Sequence, residues 1–240
     1  MFTKIDNEPA YRKVSSLIEQ QIMERILQPG DTLPSETAMA EQFGLNRSTV
    51  REGLRELEIA GLIGRGPKGK RFHIIRPKAA QIATGTSRAM ALNDVRFQDV
   101  WEAMMALEPF AAELAADRAS EAQLADLQQS VTELRDNVEN QDAIVEGAVR
   151  FFRLLADATG NQVIALSQEP LCQLLRPSLH QMTDKLDQAG ERILAAQENI
   201  VALLKARKAH DAKEWMVRHI MDYQRGYVLA GIEMEDIVLG

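Results

Sequence analysis

The chain has 240 residues, 45% hydrophobic and 26% charged, which supplies core material for two domains and excludes a disordered chain. Its single cysteine, Cys172, excludes an internal disulfide and a thiolate-rich zinc site. The net charge of -7 argues against nucleic acid only until it is divided: residues 1–78 carry 13 Lys and Arg against 10 Asp and Glu (net +3), whereas residues 79–240 carry 15 against 25 (net -10).

In chain order, a helix is expected from about Glu8 to Leu27, with Val14, Leu17, Ile18, Ile22 and Ile26 on one side and Pro29-Gly30 as its stop. Ser35 is placed to cap a short second helix that Gly44 ends. Asn46 caps a third, running to about Ala60 before Gly61. Two β-prone arms, Leu62-Ile63 and Phe72 to Ile75, flank a Gly-, Pro- and Lys-rich centre, which is a hairpin signature. A linker or weak connecting helix follows. Helical period then dominates over 97–118, 120–140, 142–159, 161–190, 191–209 and 211–230. Ser120 with Gln123, and Asp211 with Glu214, read as capping boxes, and Pro170 and Pro177 are expected to kink the fourth of these helices.

The expected fold is mainly α: an N-terminal winged helix-turn-helix (three helices plus a β-hairpin), then an all-α antiparallel bundle. Its boundaries are 1–77 for the head, 78–94 for the linker and 95–240 for the bundle. No apolar run has the length of a signal peptide or a membrane span, so a cytoplasmic setting without a membrane partner is expected.

Residues 34–62 divide their faces in a way that suits double-stranded DNA. Val50, Leu54 and Leu57 point inward at i, i+4 and i+7. Arg47, Ser48, Arg51 and Arg55 lie within about 100° of one another on a different face. A recognition helix presents such a stripe to base edges in the major groove, where the Arg fork matches guanine O6 and N7. Ser48 and Thr49 suit phosphate or base contacts, and Ser35 and Thr37 stand at the start of the preceding helix. In the hairpin, Arg65, Lys68, Lys70 and Arg71 supply charge, while Gly69 and its neighbours allow close approach to the duplex. Residues 47–78 hold nine Lys and Arg against three Glu. The acidic remainder lies beyond the screening length of about 8 Å. Each piece alone is compatible with a solvated face; their order points to DNA. No nucleophile elbow, phosphate-cradling loop or metal-ligand cluster supports catalysis, and Gly64, Gly66 and Gly69 lie in a hairpin rather than between strand and helix.

These residues resemble the GntR family of bacterial regulators, on Pro29-Gly30, Leu33 to Glu36, Arg47 to Arg51 and Leu57 to Leu62. The later part resembles the FCD-type effector domain of the FadR subfamily, on Glu102 and Glu108, on Phe151 to Asn161, and on Ala212, Met216 and His219. The resemblance implies a homodimer whose two heads read a pseudo-palindromic operator, a small-molecule effector in the bundle, and repression rather than activation. Many such domains hold a metal with one Asp and three His, but here the aligned positions are Ala148, Phe152, Gln197 and His219. One imidazole does not fill a site that needs three or four protein ligands, so neither metal nor other cofactor is expected. Met104 replaces a family Arg, and Thr37 stands where some members carry a DNA-contacting Arg, so their operators do not carry over.

Met104, Glu108, Ala148, Phe152, Gln197 and His219 are the expected effector-binding positions. Ala148, Phe152 and Met104, in place of the charged groups of related domains, point to an aromatic, fatty acyl, terpenoid or steroid-like effector. Two other readings stand beside this one: a metal-dependent sensor of small organic acids, and a non-sensing architectural DNA-binding protein whose pocket positions pack shut as core.

Overall fold

The computed structural model describes residues 8–66, 69, 71–77 and 79–238. The N-terminal unit, Met1–Gln81, begins with α1 (Ala10–Met23), α2 (Glu36–Phe43) and α3 (Arg47–Ile59). An antiparallel pair follows, β1 (Ile63–Arg65) and β2 (Phe72–Ile74), with Ile63 opposite Ile74 and Arg65 opposite Phe72. The caps act locally: the Ser35 hydroxyl accepts from the Ala38 N–H, and the Asn46 side-chain Oδ1 accepts from the Thr49 N–H. Gly44 closes α2 at φ 65, a conformation in which a Cβ is strained.

Val14 and Ile18 of α1, Met39 of α2, Val50, Leu54 and Leu57 of α3, and Ile63, Phe72 and Ile74 of the hairpin form one buried cluster. The first helix departs from expectation. It ends at Met23, and Arg25 turns the chain away at φ 60, so Ile26 is 64% exposed. Leu17, expected on the inner face, is 45% exposed.

Gly53 lets α1 and α3 approach closely: a Cβ there would stand 2.6 Å from the Tyr11 carbonyl oxygen and 3.0 Å from Val14 Cβ. The Ser15 hydroxyl adds a 2.8 Å hydrogen bond to Glu56 across the same contact. Because backbone blocks the site, Gly53→Ala is expected to destabilise the head by about 1–3 kcal/mol, the usual cost of overpacking. Amide hydrogen exchange on the full chain checks this: α1 and α3 should lose protection while the bundle keeps its own. Unchanged protection in α1 and α3 would refute the close contact.

The second unit, Ile82–Gly240, contains α5 (Phe97–Arg118), α6 (Glu121–Asp136), α7 (Gln141–Ala158), α8 (Gln162–Lys185), α9 (Ala189–Lys205) and α10 (Ala209–Leu229). The segment joining the units, expected as a linker or weak helix, forms α4 (Ala79–Ala91). Connections of two to four residues join the successive bundle helices, and α6 with α7, α7 with α8 and α9 with α10 pack as neighbours. Short connections between packed neighbours reverse the chain direction at each turn.

The most extensive contact is α5 against α10. Ala111, Ala112, Ala115 and Ala116 are fully buried on α5, small side chains that let its neighbouring helices approach closely. The Trp101 indole N–H fixes the pair with a 3.0 Å bond to the Ile220 carbonyl. Ser120 and Gln123 form the expected capping box. Asp211 and Glu214 do not: α10 starts at Ala209 after Lys208, which places Asp211 inside the first turn. Pro170 and Pro177 both lie within the single helix α8.

Candidate DNA-reading face and bundle cavity

On α3 the three arginines are exposed beside the inward Val50–Leu54–Leu57 stripe. They differ in partners. Arg47 and Arg55 have neither hydrogen bond nor ion pair among the described residues. Arg51 donates through Nε and Nη2 to Glu36 Oε2, at 3.1 and 2.9 Å, while its side chain stays 63% exposed. An exposed pair of this kind contributes about 0–1 kcal/mol, so it orients Arg51 without consuming it.

The hydroxyls of Ser48 and Thr49 both donate to the Asn46 side-chain Oδ1, at 2.7 and 2.8 Å. Asn46 thus organises the tip of the helix, where unpaired backbone N–H groups favour anions. Ser35 serves as the N-cap of α2, and Thr37 is exposed in its first turn.

In the hairpin, the Arg65 guanidinium lies 4.4 Å from the Phe72 ring centroid and donates to the Gly69 carbonyl at 3.3 Å. Gly69 adopts φ 64, which favours glycine. Lys68 and Lys70, expected to hold the wing on DNA, lie outside the described residues.

The bundle holds a cavity of about 350 Å³ between the end of α8, the start of α9 and the second half of α10. Met182, Leu186, Ile193 and Leu229 contribute apolar wall, and His219 and Tyr223 stand in its lining. A second void, of about 10 Å³, lies beside Met104, Trp101 and Tyr223, so Tyr223 borders both spaces. Of the six expected effector positions, His219 lines the large cavity and Met104 the small void. Glu108, Ala148, Phe152 and Gln197 are fully buried and line neither.

Their surroundings are nevertheless unusual for a core. Both Glu108 carboxylate oxygens, both Gln197 amide atoms, His219 Nε2 and the Tyr223 hydroxyl are buried without a hydrogen-bond partner among the described residues. An unpaired buried polar group costs about 1–3 kcal/mol, so these atoms carry a cost that a bound water or ligand would relieve. Burial pushes the Glu108 carboxyl up to about 8, only partly opposed by neighbouring Gln168. Burial also pushes His219 down to about 4, against a weak opposing pull from Asp222. Near pH 7, therefore, Glu108 is mostly protonated and His219 neutral.

The ring of Phe152 stacks on His219 at 5.9 Å between centroids and lies 6.2 Å from Tyr223. Ala148 and Phe152 offer no donor atom and Gln197 only a neutral amide, so these positions do not fit the metal of related domains. Among the described residues, no group of three or more His, Cys, Asp and Glu side chains could hold a metal. Sequence reasoning missed Tyr223. Its signal is the His219–Tyr223–Tyr227 spacing, three ring residues four apart on one face of α10.

A head with a basic, partly unpaired helix face, joined in one chain to a helical domain with an internal cavity, defines a one-component transcription regulator. Residues 10–72 match the model for bacterial regulatory proteins of the gntR family, and residues 99–222 match the FCD domain. The chain belongs to the gntR family and carries an FCD domain. It is similar to the HTH-type transcriptional regulator LutR of Bacillus subtilis, 29% identical over 221 residues, which cover 88% of this chain and 97% of LutR. It is also similar to the HTH-type transcriptional repressor NanR of Escherichia coli, 24% identical over 212 residues, covering 85% and 80%. The solved Streptococcus agalactiae GntR shares the fold with a TM-score of 0.63 at 24% identity, covering 90% of this chain and 99% of that one. The protein is thus a DNA-binding transcription regulator with an effector domain, not an enzyme. Among the described residues no helix is long and apolar enough to cross a membrane.

Proposed function

We propose that this protein is a homodimeric repressor that reads a pseudo-palindromic operator with α3 and is released by a metal-free effector with an apolar part. The observation that carries the reading is the pairing of two features. Arg47 and Arg55 stand exposed and unpaired on the recognition face, and the bundle has a largely apolar cavity bordered by unpartnered His219 and Tyr223. Arg47, Arg51 and Arg55 read or position on the duplex, Ser35, Thr37, Ser48 and Thr49 support them, and Arg65, Lys68, Gly69 and Lys70 form the wing contact. Repression follows the analogy with the transcriptional repressor NanR. Met104, Glu108, Ala148, Phe152 and Gln197 act as the inner shell behind the cavity, with His219 at its surface. Effector and operator affinities are coupled reciprocally, so whatever lowers DNA affinity must itself bind less tightly to the DNA complex.

A duplex selected from a random pool by the wild-type protein supplies the test. Arg47→Ala is expected to weaken that complex by about 1–3 kcal/mol, the worth of a bidentate guanine contact. Equal affinity for wild type and variant would refute the assignment. For the effector arm, chelator-treated protein is heated with zinc, citrate and apolar organic acids. A rise in Tm with zinc, or with citrate only when zinc is present, would overturn the metal-free reading.

A further inference from the structure

The cavity is chemically graded along α10. At 100° per residue, His219, Tyr223 and Gly226 fall within about 60° of one another on an inner stripe, and Asp222, Arg225 and Leu229 fall within about 60° on its outer edge. The inner stripe carries two hydrogen-bonding atoms without a partner among the described residues, His219 Nε2 and the Tyr223 hydroxyl, on side chains that are each 3% exposed. Both are sealed just behind the cavity surface, so a ligand group reaches them by displacing that surface. Met182, Leu186 and Ile193 supply apolar wall from α8 and α9 and the turn between them.

The outer edge is charged. Lys185, Arg192 and Arg225 face Asp187 and Asp222 around it. Arg192 and Asp222 are locked to each other through two hydrogen bonds, one of them 2.9 Å. Lys185 donates to the Ala230 carbonyl at 2.7 Å, which leaves its charge uncompensated. Arg225 is exposed and has no partner among the described residues. The edge therefore has a net positive charge and one free guanidinium. From His219 to Arg225 the helix rises about 9 Å.

From this gradient we propose that the effector is an anionic amphiphile. It has a ring-sized apolar body about 9 Å long, a hydroxyl or carbonyl at the inner end for Tyr223 and His219, and a carboxylate at the mouth for Arg225. The volume of about 350 Å³ falls in the range of small-molecule sites, about 300–1,000 Å³. The inference rests on the reading of this cavity as a metal-free effector site and narrows it to one chemical class.

Four probes test it on the full chain by titration calorimetry: 6-hydroxy-2-naphthoate, 2-naphthoate, 2-naphthol and succinate. The first carries all three features and is expected to bind most tightly. Loss of the hydroxyl or of the carboxylate should each weaken binding about tenfold, and succinate should not bind. Arg225→Gln should bring 6-hydroxy-2-naphthoate to the level of 2-naphthol while leaving 2-naphthol unchanged. Tyr223→Phe should remove the distinction between the two naphthoates. Gly226→Val serves as a block. Even a Cβ at that position would stand 2.4 Å from Met182 Sδ, driving the thioether from its place in the wall, so all naphthalene probes should weaken.

Equal affinity for 2-naphthol and 6-hydroxy-2-naphthoate, with no effect of Arg225→Gln, overturns the anionic amphiphile but leaves an apolar metal-free site standing. Succinate binding that requires zinc overturns both. Binding that none of the three variants alters lies elsewhere and overturns the proposal, as does failure of every probe at millimolar concentration.

Discussion

Phe152→Ala is expected to lower the stability of the bundle by about 3–5 kcal/mol, the cost of deleting a large side chain from a site that cannot collapse. Phe152 is fully buried, packs edge-on to Phe151 at 6.1 Å and stacks on His219 at 5.9 Å. His219 and Tyr223, its neighbours on α10, already border open volume, so nothing on that side is free to close over the gap. Urea denaturation followed by the fluorescence of Trp101 and Trp215, the only tryptophans, reports on this unit alone because both lie in the bundle. An unchanged slope against urea with a lower midpoint is the expected form. A loss below about 1 kcal/mol would mean that the surrounding helices relax into the space, and that Phe152 is a replaceable filler rather than a wall.

The second large effect is a dependence on pH carried by Glu108. Its pKa in the folded chain is about 8, above the ordinary 4.5, so the folded state holds a proton that the unfolded state has released. Stability from this group is fully present below about pH 4.5 and is lost as the pH rises through about 8, a total of about 4–5 kcal/mol.

His219 works in the opposite sense. Its pKa is held at about 4 against 6.5, so its contribution is present above about pH 6.5 and is lost as the pH falls toward about 4. Between about pH 4.5 and 6.5 the two slopes oppose each other and the profile is nearly flat. From about 6.5 to 8 Glu108 acts alone and stability falls by about 2 kcal/mol, or about 4–8 °C in Tm for a unit of this size.

Glu108→Gln removes the fall. The variant should gain stability from about pH 4 to 6.5, through His219, and then stay level. Asp157, whose carboxyl burial also raises, contributes equally to both proteins and cancels in the comparison. Parallel profiles for wild type and variant between pH 6.5 and 8 would show that Glu108 does not keep its proton in the folded chain.

The head was legible in the sequence because its signals are local. A cap needs a side chain within three residues of the N–H it satisfies, and Ser35 and Asn46 supply one each. A left-handed turn wants glycine, and Gly44 and Gly61 stand where the chain turns. The same local logic misled at two helix ends. Apolar period continues through Ile26, but period reports only which side of a helix is greasy, not where the backbone leaves it, and Arg25 ends the path. Asp211 and Glu214 have capping-box spacing, yet that spacing also occurs inside any polar helix turn, and Lys208 precedes the helix instead.

Gly53 gave no local sign of its role, since a glycine in a helix is locally only a weakness. Its reason is Tyr11, forty-two residues earlier in the chain, whose backbone rests against it. The candidate effector site divides in the same manner. Residue spacing by itself determined that six bundle helices follow the joining segment and that their inner faces are apolar, while the resemblance to the FCD domain singled out His219. The tertiary structure alone decided that Glu108 and Gln197 are sealed in the interior and that Ala148 and Phe152 are core. It alone decided that the open volume gathers instead around Met182, Ile193, His219 and Tyr223. Burial and empty space are properties of faces brought together from distant parts of a chain, and helical period constrains each face without saying which other face it meets.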